Sequence, residues 1–154
     1  MDEEIERKFL LTGLPDEARS APSEEIEQGW IPGTAIHERL RRVRPDDGSG
    51  EKYLRTIKLG RGVKRIEVEE ETDEATFRHL WALTQGRRVH KRRYRVQEGA
   101  FVWEIDAFLD RDLYLAEVEL PSEKFEVSIP GWLAPFVVRE VTGEDAFVNL
   151  NLAK

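Results

Sequence analysis

The chain has 154 residues, no cysteine, and a net charge of −7 built from 24 basic and 31 acidic residues. That size suits one domain spanning residues 1–154, and the missing thiols exclude disulfides, thiolate metal sites and cysteine nucleophiles. Charge of mixed sign at a pI near 5.1 argues against a nucleic-acid or membrane-surface binder, and the acidic Met1-Asp2-Glu3-Glu4 start with no long apolar run reads as a soluble, cytoplasmic protein.

Strand-like alternation begins at once, over residues 3–11, with Glu4, Glu6 and Lys8 on one parity and Ile5, Arg7 and Phe9 on the other. A helical turn is expected near Pro15–Arg19. Further strands are read at Ile36–Val43, Lys52–Leu59 and Lys64–Glu71, separated by Pro45-Asp46-Asp47-Gly48 and Gly60-Arg61-Gly62. Thr72 is placed to cap a helix whose first turn is acidic (Asp73, Glu74), whose apolar stripe is Phe77, Leu80 and Trp81, and whose end is set by Gly86. Strands follow at Val89–Gln97, Phe101–Phe108 and Tyr114–Leu120, with a weaker one at Lys124–Ile129 and a helical turn at Thr142–Asn149. Short turns and few helices predict an α+β, mainly β fold: an antiparallel sheet that closes or nearly closes.

The strands are unusual in what alternates. Acids recur at two-residue spacing at Glu4 and Glu6, at Glu67, Glu69 and Glu71, at Glu104 and Asp106, and at Glu117 and Glu119. Bases recur at Lys8, at Arg39 and Arg41, and at Lys91, Arg93 and Arg95. Residues i and i+2 share a face, so each set is a ridge of charge. Any one ridge is explained by a solvated outer face, and Glu4 with Lys8 also fits a helical ion pair. Ridges on strand after strand fit a charged lumen better. Carboxylate pairs suit Mg²⁺, Mn²⁺ or Ca²⁺, while Arg and Lys grip phosphate oxygens. Together they specify a polyphosphate bound with hard metal ions.

Glu4-Ile5-Glu6-Arg7-Lys8 resembles the Glu-x-Glu-x-Lys signature of the CYTH domain, or triphosphate tunnel metalloenzyme, family. Gln28-Gly29-Trp30, Arg39-Leu40-Arg41, Thr56-Ile57-Lys58, Arg65-Ile66-Glu67-Val68-Glu69, Lys91-Arg92-Arg93-Tyr94, Trp103-Glu104-Ile105-Asp106 and Ala116-Glu117-Val118-Glu119 follow in the family's order. The tail, through Pro130-Gly131-Trp132, Glu140-Val141-Thr142 and Asn149 to Ala153, is similar to compact bacterial members. The resemblance implies an eight-stranded antiparallel closed barrel with a few flanking helices. It implies a main metal-binding side of Glu4, Glu6, Asp106, Glu117 and Glu119, and a triphosphate grip of Lys8, Arg39, Arg41, Lys58, Lys91 and Arg93. Glu67 and Glu69 would hold a second metal whose water attacks the terminal phosphorus, with Lys8 also in the reacting set. The implied cofactor is Mg²⁺ or Mn²⁺, and the implied partner is a triphosphate-containing small molecule, with no nucleic acid and no membrane; a homodimer is left open.

Trp30 stands where compact relatives usually carry Tyr, so a phenol's proton-transfer role does not carry over, and Trp30 is read as a packing or substrate-edge residue. His37, His79 and His90 lack the spacing of a ligand pair and are read as structural or surface residues, with His79 toward solvent, and Trp81, Trp103 and Trp132 as core. Glu71 and Arg95 lie at strand ends, and Glu104 fits either the lumen or a barrel end. The leading function is a metal-dependent triphosphatase acting on inorganic tripolyphosphate or a similar triphosphate. The alternatives are a class IV-like adenylate cyclase, disfavoured because no His-Phe pair precedes Glu4, a thiamine triphosphatase, and a polyphosphate-binding module without turnover.

Overall fold

The computed structural model describes residues 2–33, 37–59, 64–147 and 152, and the side chains of these except residues 2–4, 37, 59, 64, 65 and 145. The expected Gly60-Arg61-Gly62 turn, Ile36, Asn149 and the side chain of Glu4 lie outside that set. Among the described residues there are nine strands: β1 (Asp2–Leu11), β2 (Ser23–Ile31), β3 (His37–Pro45), β4 (Lys52–Leu59), β5 (Lys64–Thr72), β6 (Arg88–Glu98), β7 (Phe101–Phe108), β8 (Tyr114–Glu119) and β9 (Val137–Glu140). Two helices, α1 (Asp16–Arg19) and α2 (Glu74–Trp81), flank them. No helix among the described residues is long and apolar enough to cross a membrane.

The strands form one antiparallel sheet in the order β5-β4-β3-β2-β6-β7-β8-β1-β9. β1 divides its hydrogen bonding along its length. Glu6–Leu11 pair with β8, Phe9–Leu11 pair on the other side with β9, and Asp2–Ile5 pair with Lys64–Glu67 of β5. The two ends of the β5-to-β1 run are thus themselves hydrogen-bonded.

Alternation sorts the side chains. On β1, β8 and β7 one parity is mainly apolar: Ile5, Phe9, Leu11, Ala116, Val118, Trp103 and Ile105 form the main core with Val96 of β6 and Ala18 of α1, and with Leu120 and Leu133 packed on it. The other parity carries the charge. A smaller apolar cluster of Trp30, Val89, Phe108, Leu115 and Val141 lies at one end of that charged face. α2 covers β3 and β4, stacking Phe77 between Tyr53 and Trp81.

Four expectations are corrected. The strand count is nine, not eight, because the four-residue β9, too short to show a period, adds to β1. Ser23–Ile31 is a central strand that its Glu24, Glu25, Glu27 and Gly29 disguise, since these residues are depleted in strands. Lys124–Ile129 is not a strand; Val127 and Ile129 pack on the main core from an irregular segment. The cap of α2 is Asp73, not Thr72: its carboxylate accepts from the Thr76 amide at 2.7 Å, where it also meets the positive end of the helix. The helix gives way to a short 3-10 turn at Ala82–Thr84, and Gly86, at φ 79°, ends the segment as expected. Trp103 is core; Trp81 and Trp132 are half-buried, and the Trp132 indole donates to Glu98.

Candidate functional site on the charged face

Register brings the basic ridges together. Arg39 and Arg41 of β3 lie opposite Trp30 and Gln28 of β2, and Ile26 and Glu24 of β2 lie opposite Lys91 and Arg93 of β6. Arg93 is opposite Asp106 of β7, and Lys8 of β1 is opposite Glu117 of β8. Lys8, Arg39, Arg41, Lys91 and Arg93 are all buried, and the only buried carboxylates among the described residues are Asp106 and Glu117. Five cations thus share a water-poor face with two anions.

The anions are engaged. Arg93 grips Asp106 with Nε on Oδ1 at 2.8 Å and Nη2 on Oδ2 at 2.9 Å, and the fully buried Lys91 ammonium adds a 2.8 Å contact to Oδ2. Burial by itself would raise the Asp106 carboxyl, but Arg93 and Lys91 outweigh it and hold it at about 2. Lys91 is the group that yields. Burial, reinforced by Arg93 and Arg41 and only partly opposed by Asp106, brings it from 10.5 down to about 7. Its ammonium lies 5.5 Å from the centre of the Phe108 ring. Burial and then the neighbouring Arg39 and Arg93 also lower Arg41, a sign of how badly a cation is served there without an anion.

Lys8 makes an ion pair with Glu117 at 3.4 Å and donates to the Phe147 carbonyl at 3.1 Å. Burial would raise Glu117, but Lys8 and Arg93 hold it well below the usual carboxylate range. On the β3-β4-β5 side, Arg39 Nη2 donates to Thr56 at 3.3 Å, and the Thr56 hydroxyl donates to Glu69 at 2.8 Å. Lys58 reaches Glu67 at 4.0 Å. Glu6 and Glu119 are direct cross-strand partners, carboxylate against carboxylate.

All the described side chains proposed from sequence therefore lie on one face, and they divide in two. Arg39, Arg41, Lys91, Arg93, Asp106, Glu117 and Lys8 are buried, while Glu6, Lys58, Glu67, Glu69 and Glu119 are half-buried or exposed. Glu4 shares their parity, and its backbone pairs with Arg65. Glu104 joins this face, 3.4 Å from Arg93 and 3.2 Å from Arg95. Trp30 is buried in the apolar cluster at the end of the face. Sequence reasoning did not assign roles to Thr56, which links Arg39 to Glu69, or to Gln28, whose carbonyl oxygen accepts from Arg41 Nε at 2.8 Å. The signal for Thr56 was present, since it lies on an expected strand at the parity of the charged ridges; that for Gln28 was hidden with β2.

The opposite face of β2 and β6 brings Glu25, Glu27 and His90 together, close enough to hold a cation. These groups are instead taken up by Arg42 on Glu27 at 2.5 Å, Arg44 on Glu25 at 3.4 Å and His90 on Glu25 at 2.6 Å.

No protein-family model matches the chain. An inorganic triphosphatase of Nitrosomonas europaea is 37% identical over 97% of this chain and 96% of its own length, and one of Acetivibrio thermocellus is 32% identical over 100% and 95%. The crystal structure of the inorganic triphosphatase NE1496 superimposes with a TM-score of 0.66 at 33% identity, covering 99% of this chain and 95% of that one. The PH1819 protein of Pyrococcus horikoshii, at 19% identity and a TM-score of 0.61, shares the fold. Identity above 30% along nearly the whole of both curated relatives, on a matching fold, places this chain in the inorganic triphosphatase family of hydrolases.

Proposed function

We propose that this chain hydrolyses the terminal phosphoanhydride of inorganic tripolyphosphate, within a CYTH-type eight-stranded tunnel, a reading that the β1–β5 pairing supports. The observation that carries this reading is the buried surplus of positive charge: Lys8, Arg39, Arg41, Lys91 and Arg93 against Asp106 and Glu117. Uncompensated buried charge is costly, so a face of this kind calls for a polyanion. Arginine forks and lysine ammonium groups match its non-bridging oxygens.

The half-buried carboxylates fit a hard divalent cation. Like charges placed directly across a strand pair repel, as Glu6 and Glu119 do, and Glu67 and Glu69 offer further oxygen donors at two-residue spacing. Glu4, Glu6 and Glu119 would hold one Mg²⁺ or Mn²⁺, and Glu67 and Glu69 a second. Such a cation, when bound, supplies positive charge at the reacting phosphoryl group and a more acidic water. Asp106 serves otherwise: with both oxygens taken by Arg93 and Lys91, it positions two phosphate-binding cations. Glu117 holds Lys8 in the same way. Arg39, oriented by Thr56 against Glu69, joins the phosphate grip to the carboxylate side. As negative charge grows on the departing pyrophosphate, the fixed cations stabilise it without rearranging.

The test is phosphate release from tripolyphosphate, ATP, thiamine triphosphate and pyrophosphate, with Mg²⁺ or Mn²⁺ and after chelation. Metal-dependent release, highest on tripolyphosphate, is expected. Cyclic nucleotide from ATP, or no release from any of the four, would overturn the reading.

A further inference from the structure

Gln28 is fully buried, and its amide nitrogen is without a hydrogen-bond partner. Its orientation is fixed chemically. Arg41 Nε can only donate, so the oxygen of the Gln28 amide must face it, at 2.8 Å, and the NH₂ group must face away. A buried donor left without a partner is costly, and the large majority of buried side-chain polar atoms are paired.

The surroundings explain why no partner is at hand. Gln28 shares its face with Arg39 and Arg41 on β3 and with Lys91 and Arg93 on β6, all donors without acceptor capacity. The nearest buried carboxylate on β7, Asp106, is taken by Arg93 and Lys91. Across β6, the direct partner of Gln28 is Val89, and beside it lies Trp30 of the apolar cluster. Among the described residues no acceptor is at hand, and a bound anion would supply one.

We propose that Gln28 is a substrate-binding residue whose amide nitrogen donates to a non-bridging phosphoryl oxygen of the triphosphate held by Arg41, while its carbonyl fixes the Arg41 fork. This rests on the triphosphatase reading and adds to it a neutral donor at the inner end of the phosphate grip, next to the apolar floor of Trp30 and Phe108. A neutral donor reads the oxygen without adding to a cation surplus already large.

Two measurements test it. The first is a titration with imidotriphosphate and Mg²⁺, whose P–N–P bridges resist hydrolysis, followed by ¹H–¹⁵N spectra. The side-chain amide pair of Gln28, assigned by its loss in Gln28→Glu, should move on binding together with the Arg41 Nε–H signal. Movement of Arg41 with a stationary Gln28 amide overturns the proposal. Movement of neither overturns the triphosphatase reading beneath it.

The second is steady-state hydrolysis of tripolyphosphate by Gln28→Met and Gln28→Glu. Both should raise KM about tenfold or more, Gln28→Glu the more, and the unliganded melting temperature of Gln28→Glu, which keeps an acceptor for Arg41, should be no lower than that of the unsubstituted protein. If Gln28 served only to anchor Arg41, Gln28→Glu would restore KM to the starting value. That rescue, or an unchanged KM in Gln28→Met, contradicts direct donation.

Discussion

The two faces of the β2-β3-β6 region are built from the same residue types and come to opposite ends. On the outer face, Glu25 and Glu27 of β2 sit between Arg42 and Arg44 of β3 and His90 and Arg92 of β6, and each acid finds a base across the strand. On the other face, Arg39, Arg41, Lys91 and Arg93 converge with Gln28 and Ile26 between them; Asp106 is the buried acid that answers them there, while the more exposed Glu69 and Glu104 reach Arg39 and Arg93 at 3.5 and 3.4 Å from the rim. The outer network is solvated and balanced, so it holds strands together. The inner one is buried and unbalanced, and on that imbalance the proposed anion grip rests. Charge alone does not mark a site; charge that is buried and left in surplus does.

The largest effect that would break this contrast is expected at Arg93. Arg93→Ala removes the fork on Asp106 and leaves a buried carboxylate with Lys91 alone, so unfolding free energy should fall by about 3–5 kcal/mol. Urea titration reads this directly, and a loss under 1 kcal/mol would mean that Asp106 is not held as described. A smaller loss is expected where the outer face is covered. A Cβ on Gly29 would lie 2.7 Å from both Cβ and Oγ1 of Thr84 and 3.1 Å from Trp81, and Thr84 is itself held by its bond to the Trp81 carbonyl and by Arg88. Gly29→Ala should therefore cost about 1–3 kcal/mol through overpacking, in thermal or urea melts, with KM little changed.

The pH dependence sharpens the comparison. Lys91 binds its proton with a value of about 7 when folded and 10.5 when not, so between these values the unfolded chain carries more protons. Stability without ligand should accordingly rise as pH climbs from 7 to 10, and Lys91→Met should flatten that rise. Stability that falls over the same window in the unsubstituted protein would reverse the sign assigned to Lys91. The smallest effect belongs to the outer face. Arg42→Ala should change stability by no more than about 1 kcal/mol, as partly exposed pairs do, and leave turnover on tripolyphosphate within about twofold.

The charged face was legible because period two survives in β1, β3, β5, β6, β7 and β8, and because the apolar parity of β7 and β8 is unbroken. β2 was not legible. Its three glutamates and a glycine depress strand propensity, and what overrides them is tertiary: bases on both neighbouring strands, and a helix that fits only over Gly29. The segment at Lys124–Ile129 alternates well enough for a strand but finds no neighbour to pair with, and packs its apolar residues on the core instead. The partition of the carboxylates was equally hidden. Nothing in the spacing of Glu104 and Asp106 says that one sits half-exposed beside Arg95 while the other is fully buried under Arg93 and Lys91.

The most direct test of the central claim compares one cation from each face in tripolyphosphate hydrolysis with Mg²⁺, with melts of the same samples. Arg39→Ala should lower kcat/KM by about 10²–10³ with little loss of melting temperature, whereas Arg42→Ala should stay near the unsubstituted rate. Equal activity in the two variants, with the greater loss of melting temperature in Arg39→Ala, would mean that the buried cations are a structural network and would contradict the account.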